Sequence, residues 1–537
     1  MAGSATRTAG EGRRAAPPIA RASLERRNGM STPSSRRASH ESSRGRDGAA
    51  LRERLLSALV YAGLLICLVY PYTDYDWGWH YRYGEYLVTH GQILRHDIYS
   101  WTMPGFEWVN HSWLYDPLLY FLYNRVSFFG LAIAGAVAGV AVFYLGIRQV
   151  PLAFWHKAIL AVFFAALSKE ALLQGLRTQV VGLLVLALFV DLLHRERQGH
   201  RWVYWALPGL FCLWTNLHGS FLLGLIVFGV YVMGDLALLK IRGPAIPRRW
   251  FMFAASLLAS VAASLVNPFT YHVYLEAWRH FGNPMLPAVI EWVPPDFSEI
   301  VGVLFLGYTL ILAVGFVRRK RLSDLPTLAV AALTFYLAVS SRRHVPVFLV
   351  LTLPFAALVI ASIRVRVAGF ARTSLVVAAM IAVFGTAVFF KWPAYQALWR
   401  DPAQAYCSWG NHCSPGLVRF LIQHPPEGRG FNFYDWGGYL IGNGVRAKLF
   451  IDGRMHLWER DGFRPMETYM LMYRRLDLDE FERSKFDWVL VPRGSLFAKE
   501  FAAYRSPWTG KTTDEIWEVP YVDDRTLYAV RKKPRGA

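Results

Sequence analysis

Charge is scarce in this chain. Only 18% of its 537 residues are Asp, Glu, Lys or Arg, against about 25% in a water-soluble protein of ordinary composition. The deficit excludes water as the main solvent for most of the chain. Cysteine is scarcer: there are four, with no C-x-x-C, H-E-x-x-H or other metal-ligand spacing. No Gly-rich nucleotide loop is evident, so nothing points to a nucleotide-sugar substrate. No internal repeat is visible, which weighs against a secondary transporter.

Apolar residues are plentiful, at 54%. They fall in blocks of about 17 to 22, the length that crosses a hydrocarbon core. Eleven such blocks read as spanning helices: 55–71, 129–147, 152–168, 178–194, 203–216, 218–239, 250–266, 300–317, 324–340, 345–363 and 370–390. The net charge of +20 suggests nucleic acid, but the distribution of charge argues otherwise. Residues 1–54 carry 12 Arg against five acids with no apolar periodicity, which reads as a disordered, basic cytoplasmic tail. With the tail inside, 28 basic residues fall on the inner side and eight in outer loops, as the positive-inside rule requires. An odd number of spans then puts residues 391–537 outside the cytoplasm.

The expected architecture is therefore an α-helical polytopic membrane protein with a small C-terminal extracytoplasmic α/β domain. Residues 55–390 form the transmembrane domain, which includes a large first outer loop, 72–128. In the C-terminal region, short apolar runs (Lys448–Ile451, Trp488–Val491, Leu527–Val530) alternate with helix-favouring stretches (Glu467–Arg475, Leu496–Tyr504). Cys407 and Cys413 lie close together there, where a disulfide would be at home if the region is extracytoplasmic.

The first outer loop concentrates residues that carry chemistry: Asp74, Asp76, His80, Glu85, His111 and Asp116, with Trp77, Trp79, Trp108 and Trp113 among them. The stretches Asp76–Val88 and Trp113–Tyr123 fit amphipathic helices lying in the membrane interface. Alternatively, Asp74 caps the following helix and the aromatics form an interfacial belt. Other outer-facing groups are Arg177, the Asn216-Leu217-His218-Gly219 break, and Ser341-Arg342-Arg343-His344. Outer arginines run against the charge bias of the membrane, which suits them to a phosphate. The alternative is pairing with acids such as Glu170 or Glu276. A carboxylate beside such a phosphate can deprotonate an incoming hydroxyl or amine, and aromatic faces can stack on sugar rings.

The Asp74-x-Asp76 pair directly after the first helix, followed by interfacial helices, resembles the first outer loop of the C-type glycosyltransferase superfamily (the GT-C fold). That group includes protein O-mannosyltransferases. The ordered set Asp74-x-Asp76-x-x-Trp79-His80, Asn216-Leu217-His218-Gly219, Asn267-Pro268, Trp436-Gly437-Gly438-Tyr439-Leu440 and Ile451-Asp452-Gly453-Arg454 is most similar to a poorly characterised bacterial branch. The resemblance implies a glycosyltransferase of the bacterial cytoplasmic membrane. It would move a sugar from a polyprenyl-phosphate donor to an extracytoplasmic glycan, lipid or protein acceptor. Asp74 or Asp76 would be catalytic, and His80, Glu85, His111, Arg177, His218, Arg342 and Arg343 would bind substrate. The resemblance assigns no cofactor, and the acid pair leaves room for a divalent cation. A lipid-linked glycan transporter or flippase, and a non-catalytic scaffold for envelope assembly, are the rival readings.

Overall fold

The computed structural model describes residues 33–243, 247–280, 283, 285–363 and 369–533. It divides into two compact units, Met1–Arg54 and Leu55–Ala537. Within the first, residues 1–32 of the expected tail lie outside the described residues. Residues 33–54 form the beginning of helix α1 (Pro33–Leu68). The run Ala49-Ala50-Leu51-Arg52-Glu53-Arg54 is made of strong helix formers, so the helix does not stop where the apolar block starts.

In the second unit the chain continues through α2 (Trp77–His90), α3 (Tyr115–Ile147), α4 (Phe154–Leu167), α5 (Lys169–Leu172), α6 (Thr178–Arg197) and α7 (Val203–Leu217). It then forms α8 (Phe221–Arg242), α9 (Arg248–Ser264), α10 (His272–Arg279), α11 (Ile300–Arg319), α12 (Leu325–Ser340), α13 (Val345–Ala361) and α14 (Gly369–Arg400). Each of the eleven expected spans falls on one of these helices, but α1, α3 and α14 run well beyond the expected bounds at one end. Among the described residues, seven helices are both long and apolar enough to cross a membrane: α3, α6, α8 and α11 to α14. Helix α4 is apolar but shorter. The chain is built as an integral membrane protein. The two amphipathic stretches of the first loop are α2 and the start of α3, and α3 is interrupted at Ser127, where φ is 55°.

Ion pairs gather at both ends of α6. At its C-terminal end Asp191 accepts from Arg148 and Arg195, and Glu196 takes a two-pronged contact from Arg249 at 2.7 Å. At its N-terminal end lies Arg177. The 18 residues between Arg177 and Arg195 place these two clusters about 27 Å apart along the helix. Basic residues assigned by sequence to opposite sides of the bilayer thus sit at opposite ends of one helix.

The C-terminal part carries a four-stranded mixed sheet. Its strands are β1 (Gly430–Asn432), β2 (Trp488–Pro492), β3 (Trp517–Val522) and β4 (Thr526–Arg531), in the order β1-β2-β4-β3. Only the β1–β2 pair is parallel. The apolar run Lys448–Ile451, expected as a strand, joins no sheet. The Asn432 side chain takes up its backbone instead: Oδ1 accepts from Phe450 N at 2.8 Å, and Nδ2 donates to Ile451 O at 2.8 Å. Leu449 pairs with the first loop, its N donating to Tyr99 O at 2.9 Å and its O accepting from Trp101 N at 3.0 Å. Cys407 and Cys413 are joined in a disulfide.

Two further contacts fasten this C-terminal part to the first loop beside the Leu449 pairing. On α2, Gly78 meets the turn Gly437–Gly442 so closely that a Cβ there would lie 1.7 Å from Gly438 O. Beside it, Arg454 is fully buried. Its guanidinium reaches Asp97 at 2.8 Å, Asp452 at 2.6 Å and the Tyr83 hydroxyl at 2.8 Å. The rings of Tyr83, Tyr99, Trp108 and Trp458 surround it at 5.1–5.7 Å. Removing the cation would strand two buried carboxylates, a loss of about 3–5 kcal/mol. Arg454→Met should lower the denaturation midpoint of the detergent-solubilised protein accordingly. An unchanged midpoint would show that Asp97 and Asp452 do not depend on Arg454.

Candidate active site

The chain leaves α1 at Leu68 and enters α2 at Trp77, with both acids of the pair in the connection. Asp76 occupies the position before the first helical residue but makes no side-chain capping bond. Its Oδ1 instead accepts from Trp79 Nε1 at 2.9 Å. Asp74 is buried. Its carboxylate accepts from the Tyr72 hydroxyl at 3.2 Å and from Asp76 N at 3.3 Å, while the Tyr406 hydroxyl holds its carbonyl at 3.0 Å. Neither carboxylate is consumed in capping the helix. Burial pushes the Asp74 carboxyl up, against the opposing pull of Arg177. Burial, and then the Asp74 carboxylate, push Asp76 up to about 7. Two acids this close do not both ionise readily, and the more accessible Asp76 is poised near neutrality.

Arg177 lies just before α6 and is buried. Its Nε is 3.8 Å from Asp74 Oδ1, and its Nη1 is 2.8 Å from Glu291 Oε1 and also bonds Gln174. Burial opposes its charge, but Glu291, Asp74 and Asp76 raise its pKa beyond the ordinary arginine value. Glu291 sits on a short helical turn, Ile290–Trp292. Its second oxygen, Oε2, accepts from Arg343 Nη1 at 2.8 Å. Burial pushes this carboxyl up, yet the two arginines hold it down to about 2. The Arg343 guanidinium lies 5.3 Å over the Trp292 ring. The result is a continuous ladder, Asp74–Arg177–Glu291–Arg343, assembled from four separate connections.

The other expected site residues divide into two groups. His111 and His218 stand close by, with ring centroids 6.4 Å apart, and His218 Nδ1 is 2.7 Å from Ser220 Oγ. Burial lowers His111 to about 4, helped by His280 and Arg343, so it is neutral at pH 7. Asn216, from the same break as His218, takes the Trp113 indole N–H at 2.6 Å and ties the first loop to α7.

His80, Glu85 and Arg342 are not part of the ladder. His80 is buried with its Nδ1 2.6 Å from Asp116, which Asn110 holds at 2.6 Å on the other oxygen. It braces the loop from within, because one helical turn from Asp76 leads into the core. Glu85 pairs with Arg82 at 2.6 Å, and both line a separate cavity of about 400 Å³ with Tyr99 and residues 441–449. Arg342 turns away from Arg343, to Pro294 O at 3.3 Å and Glu170 at 3.7 Å. Its pairing with an outer-loop acid was the alternative reading.

The sequence places Glu291-Trp292 among the outer-loop polar groups and Gly453 in the Ile451–Arg454 segment, but assigns neither Glu291, the hub of the ladder, nor the turn after Asp452 to the site. A Cβ on Gly453 would fall 1.9 Å from Asp76 Oδ1, so the C-terminal part closes directly onto the acid pair. The Gly453 carbonyl accepts from the Tyr434 hydroxyl at 3.4 Å, and His456 stands 5.7 Å from His280. The only signal was that Glu291 shares an outer loop with His272, Glu276, Arg279 and His280. A cation at the acid pair would find two carboxylates, one already beside a guanidinium. Among the described residues no three His, Cys, Asp or Glu side chains form a metal-binding group.

No model of a known protein family matches the sequence, and no curated protein matches it. Solved structures do. The apo oligosaccharyltransferase of Archaeoglobus fulgidus superposes with a TM-score of 0.51 at 12% identity, covering 82% of this chain and 69% of that one. The oligosaccharyltransferase AglB of the same organism, bound to an inhibitory peptide and a dolichol-phosphate, gives 0.50 at 11% identity over the same shares. Its complex with Zn and sulfate gives 0.50 at 12%, covering 89% of this chain and 73% of that one. Identity this low establishes architecture alone: the chain has the fold of the C-type glycosyltransferase superfamily, the GT-C fold.

Proposed function

We propose that the chain is a membrane glycosyltransferase that transfers a sugar from a polyprenyl-phosphate donor to an acceptor at the extracytoplasmic face. The observation that carries this reading is the ladder from Asp74 through Arg177 and Glu291 to Arg343, with Asp76 beside it. The fold supports it as well, since a protein of the same architecture binds dolichol-phosphate and a peptide. The disulfide supports an extracytoplasmic C-terminal domain, because such bonds persist in oxidising compartments.

In this mechanism Arg177 and Arg343 hold the donor phosphate at the membrane surface. Asp76 removes the proton from the acceptor hydroxyl or amine as that atom attacks the anomeric carbon. The lipid phosphate leaves with the bonding electrons, and a single displacement inverts the anomeric configuration. Asp76 is a better base than Asp74 because it is more accessible and poised near the operating pH. Asp74 keeps Asp76 elevated and anchors Arg177. His111 and His218, held close to the ladder, contribute neutral hydrogen-bonding surface toward the sugar.

Transfer by the protein in liposomes, with polyprenyl-phosphate sugars and an acceptor extract, should fall about 10²–10⁴-fold in Asp76→Asn. Full transfer by an Asp74→Asn/Asp76→Asn double variant would overturn the mechanism. Passage of labelled lipid-linked sugar across the bilayer with no acceptor present would favour a flippase.

The raised value of Asp76 also fixes a sign. The wild-type rate should climb through about pH 7 as Asp76 loses its proton. The folded state holds this proton more tightly than the unfolded chain. Its contribution to stability is therefore complete below about pH 4 and lost as pH rises through about 7. Asp76→Asn should flatten that loss when thermal unfolding in detergent is followed across this range; an unaltered pH dependence would contradict the assignment.

A further inference from the structure

Two guanidinium groups from different connections share one carboxylate, each taking one of its oxygens at 2.8 Å. A phosphate presents a pair of oxygens in the same manner. We propose that Glu291 is an internal stand-in for the phosphate of the ligand, occupying Arg177 and Arg343 until an incoming phosphate displaces it. This rests on the reading of the two arginines as the phosphate-binding groups, and adds how that site is kept closed.

Charge balance argues for displacement over co-occupancy. The ladder already has two acids, Asp74 and Glu291, on its two arginines, and a phosphate would add at least one further negative charge. Glu291 is held ionised by the arginines themselves, so it does not make room by taking up a proton. Its carboxylate has to leave at least one arginine. The backbone around it is pinned, which restricts the movement to the side chain. Ser341 Oγ donates to Glu291 O at 3.0 Å, and Arg342 N donates to Val293 O at 3.0 Å. A rotation of Glu291 would bare both guanidiniums with little backbone motion. Arg343, resting on the Trp292 ring, stays in position to receive the phosphate.

The arrangement has a functional consequence. The buried Arg177 without an acid beside it would be costly, and the two guanidiniums would collect any available anion. A tethered carboxylate keeps them neutralised and makes weak anions poor competitors, while a phosphate able to accept from both arginines still enters.

Binding of inorganic pyrophosphate and of farnesyl phosphate to the full chain in detergent tests the proposal by titration calorimetry. Wild type, Glu291→Gln, Glu291→Asp and Arg343→Gln are compared. If the displaced state is a minor one, removing the competitor raises apparent affinity by about 10–100-fold. Glu291→Gln should therefore bind at least one probe tenfold or more tightly than wild type. Glu291→Asp keeps the charge but is too short to bridge both arginines, so it should tighten binding several-fold even if the Gln variant fails to fold. Tightening for farnesyl phosphate alone supports the proposal with a lipid headgroup as ligand; tightening for both probes supports it with free phosphate also admitted. Binding that is lost in Arg343→Gln but unchanged or weaker in both Glu291 variants overturns the stand-in while leaving the arginine site intact. No binding of either probe to wild type or to the Glu291 variants overturns both.

Discussion

Arg177 carries a charge it cannot lose, in a place almost sealed from water. An arginine side chain stays protonated at any physiological pH, so burying it obliges the rest of the structure to bring acids to it. Asp74 comes from the connection after α1 and Glu291 from the connection before α11. Glu291 then has an oxygen to spare, and Arg343 from the α12–α13 turn takes it. Four stretches far apart in sequence are thereby drawn to one end of the helix bundle. Removing Arg177 leaves the buried Asp74 carboxylate without its cation, which costs more than the pair itself contributes. The same need for pairing keeps Asp74 close to Asp76, and that closeness pushes Asp76 toward neutrality.

A second constraint is steric. The C-terminal part reaches the acid pair only because glycine stands at each close approach. Gly78 and Gly438 let a turn lie directly on α2, and Gly453 lets the chain pass against the Asp76 carboxylate. Arg454, the next residue, is fixed by Asp97 and Asp452 within a ring of aromatics. The membrane helices and the C-terminal part therefore build the site jointly. Movement of the Gly453 turn would change the surroundings of Asp76 at once.

Much of this was legible in the sequence. Apolar blocks located the helices because membrane solvation leaves little freedom in length or composition. Asp74, Asp76, Arg177 and Arg343 stood out because each is an ionisable group at a membrane boundary, where such groups are expensive. His80 and Glu85 share the loop but not the ladder, because helix phase sends one into the core and the other to the Arg82 side. Glu291 was visible as one of several outer-loop groups but was not assigned to the site. A single acid in a loop with several other charges has no local pattern, and only the fold reveals that two arginines converge on it. The strand expected at Lys448–Ile451 failed because the Asn432 side chain replaced a sheet neighbour, a substitution with no period to detect.

The proposal depends on Arg177 and Arg343 holding a lipid phosphate. Native mass spectrometry of the protein extracted gently from its own membrane tests this most directly. The account predicts a bound polyprenyl-phosphate species on wild type that is absent from an Arg177→Gln/Arg343→Gln variant retaining its fold. Equal retention of that lipid by both proteins, or its absence from folded wild type, would contradict it.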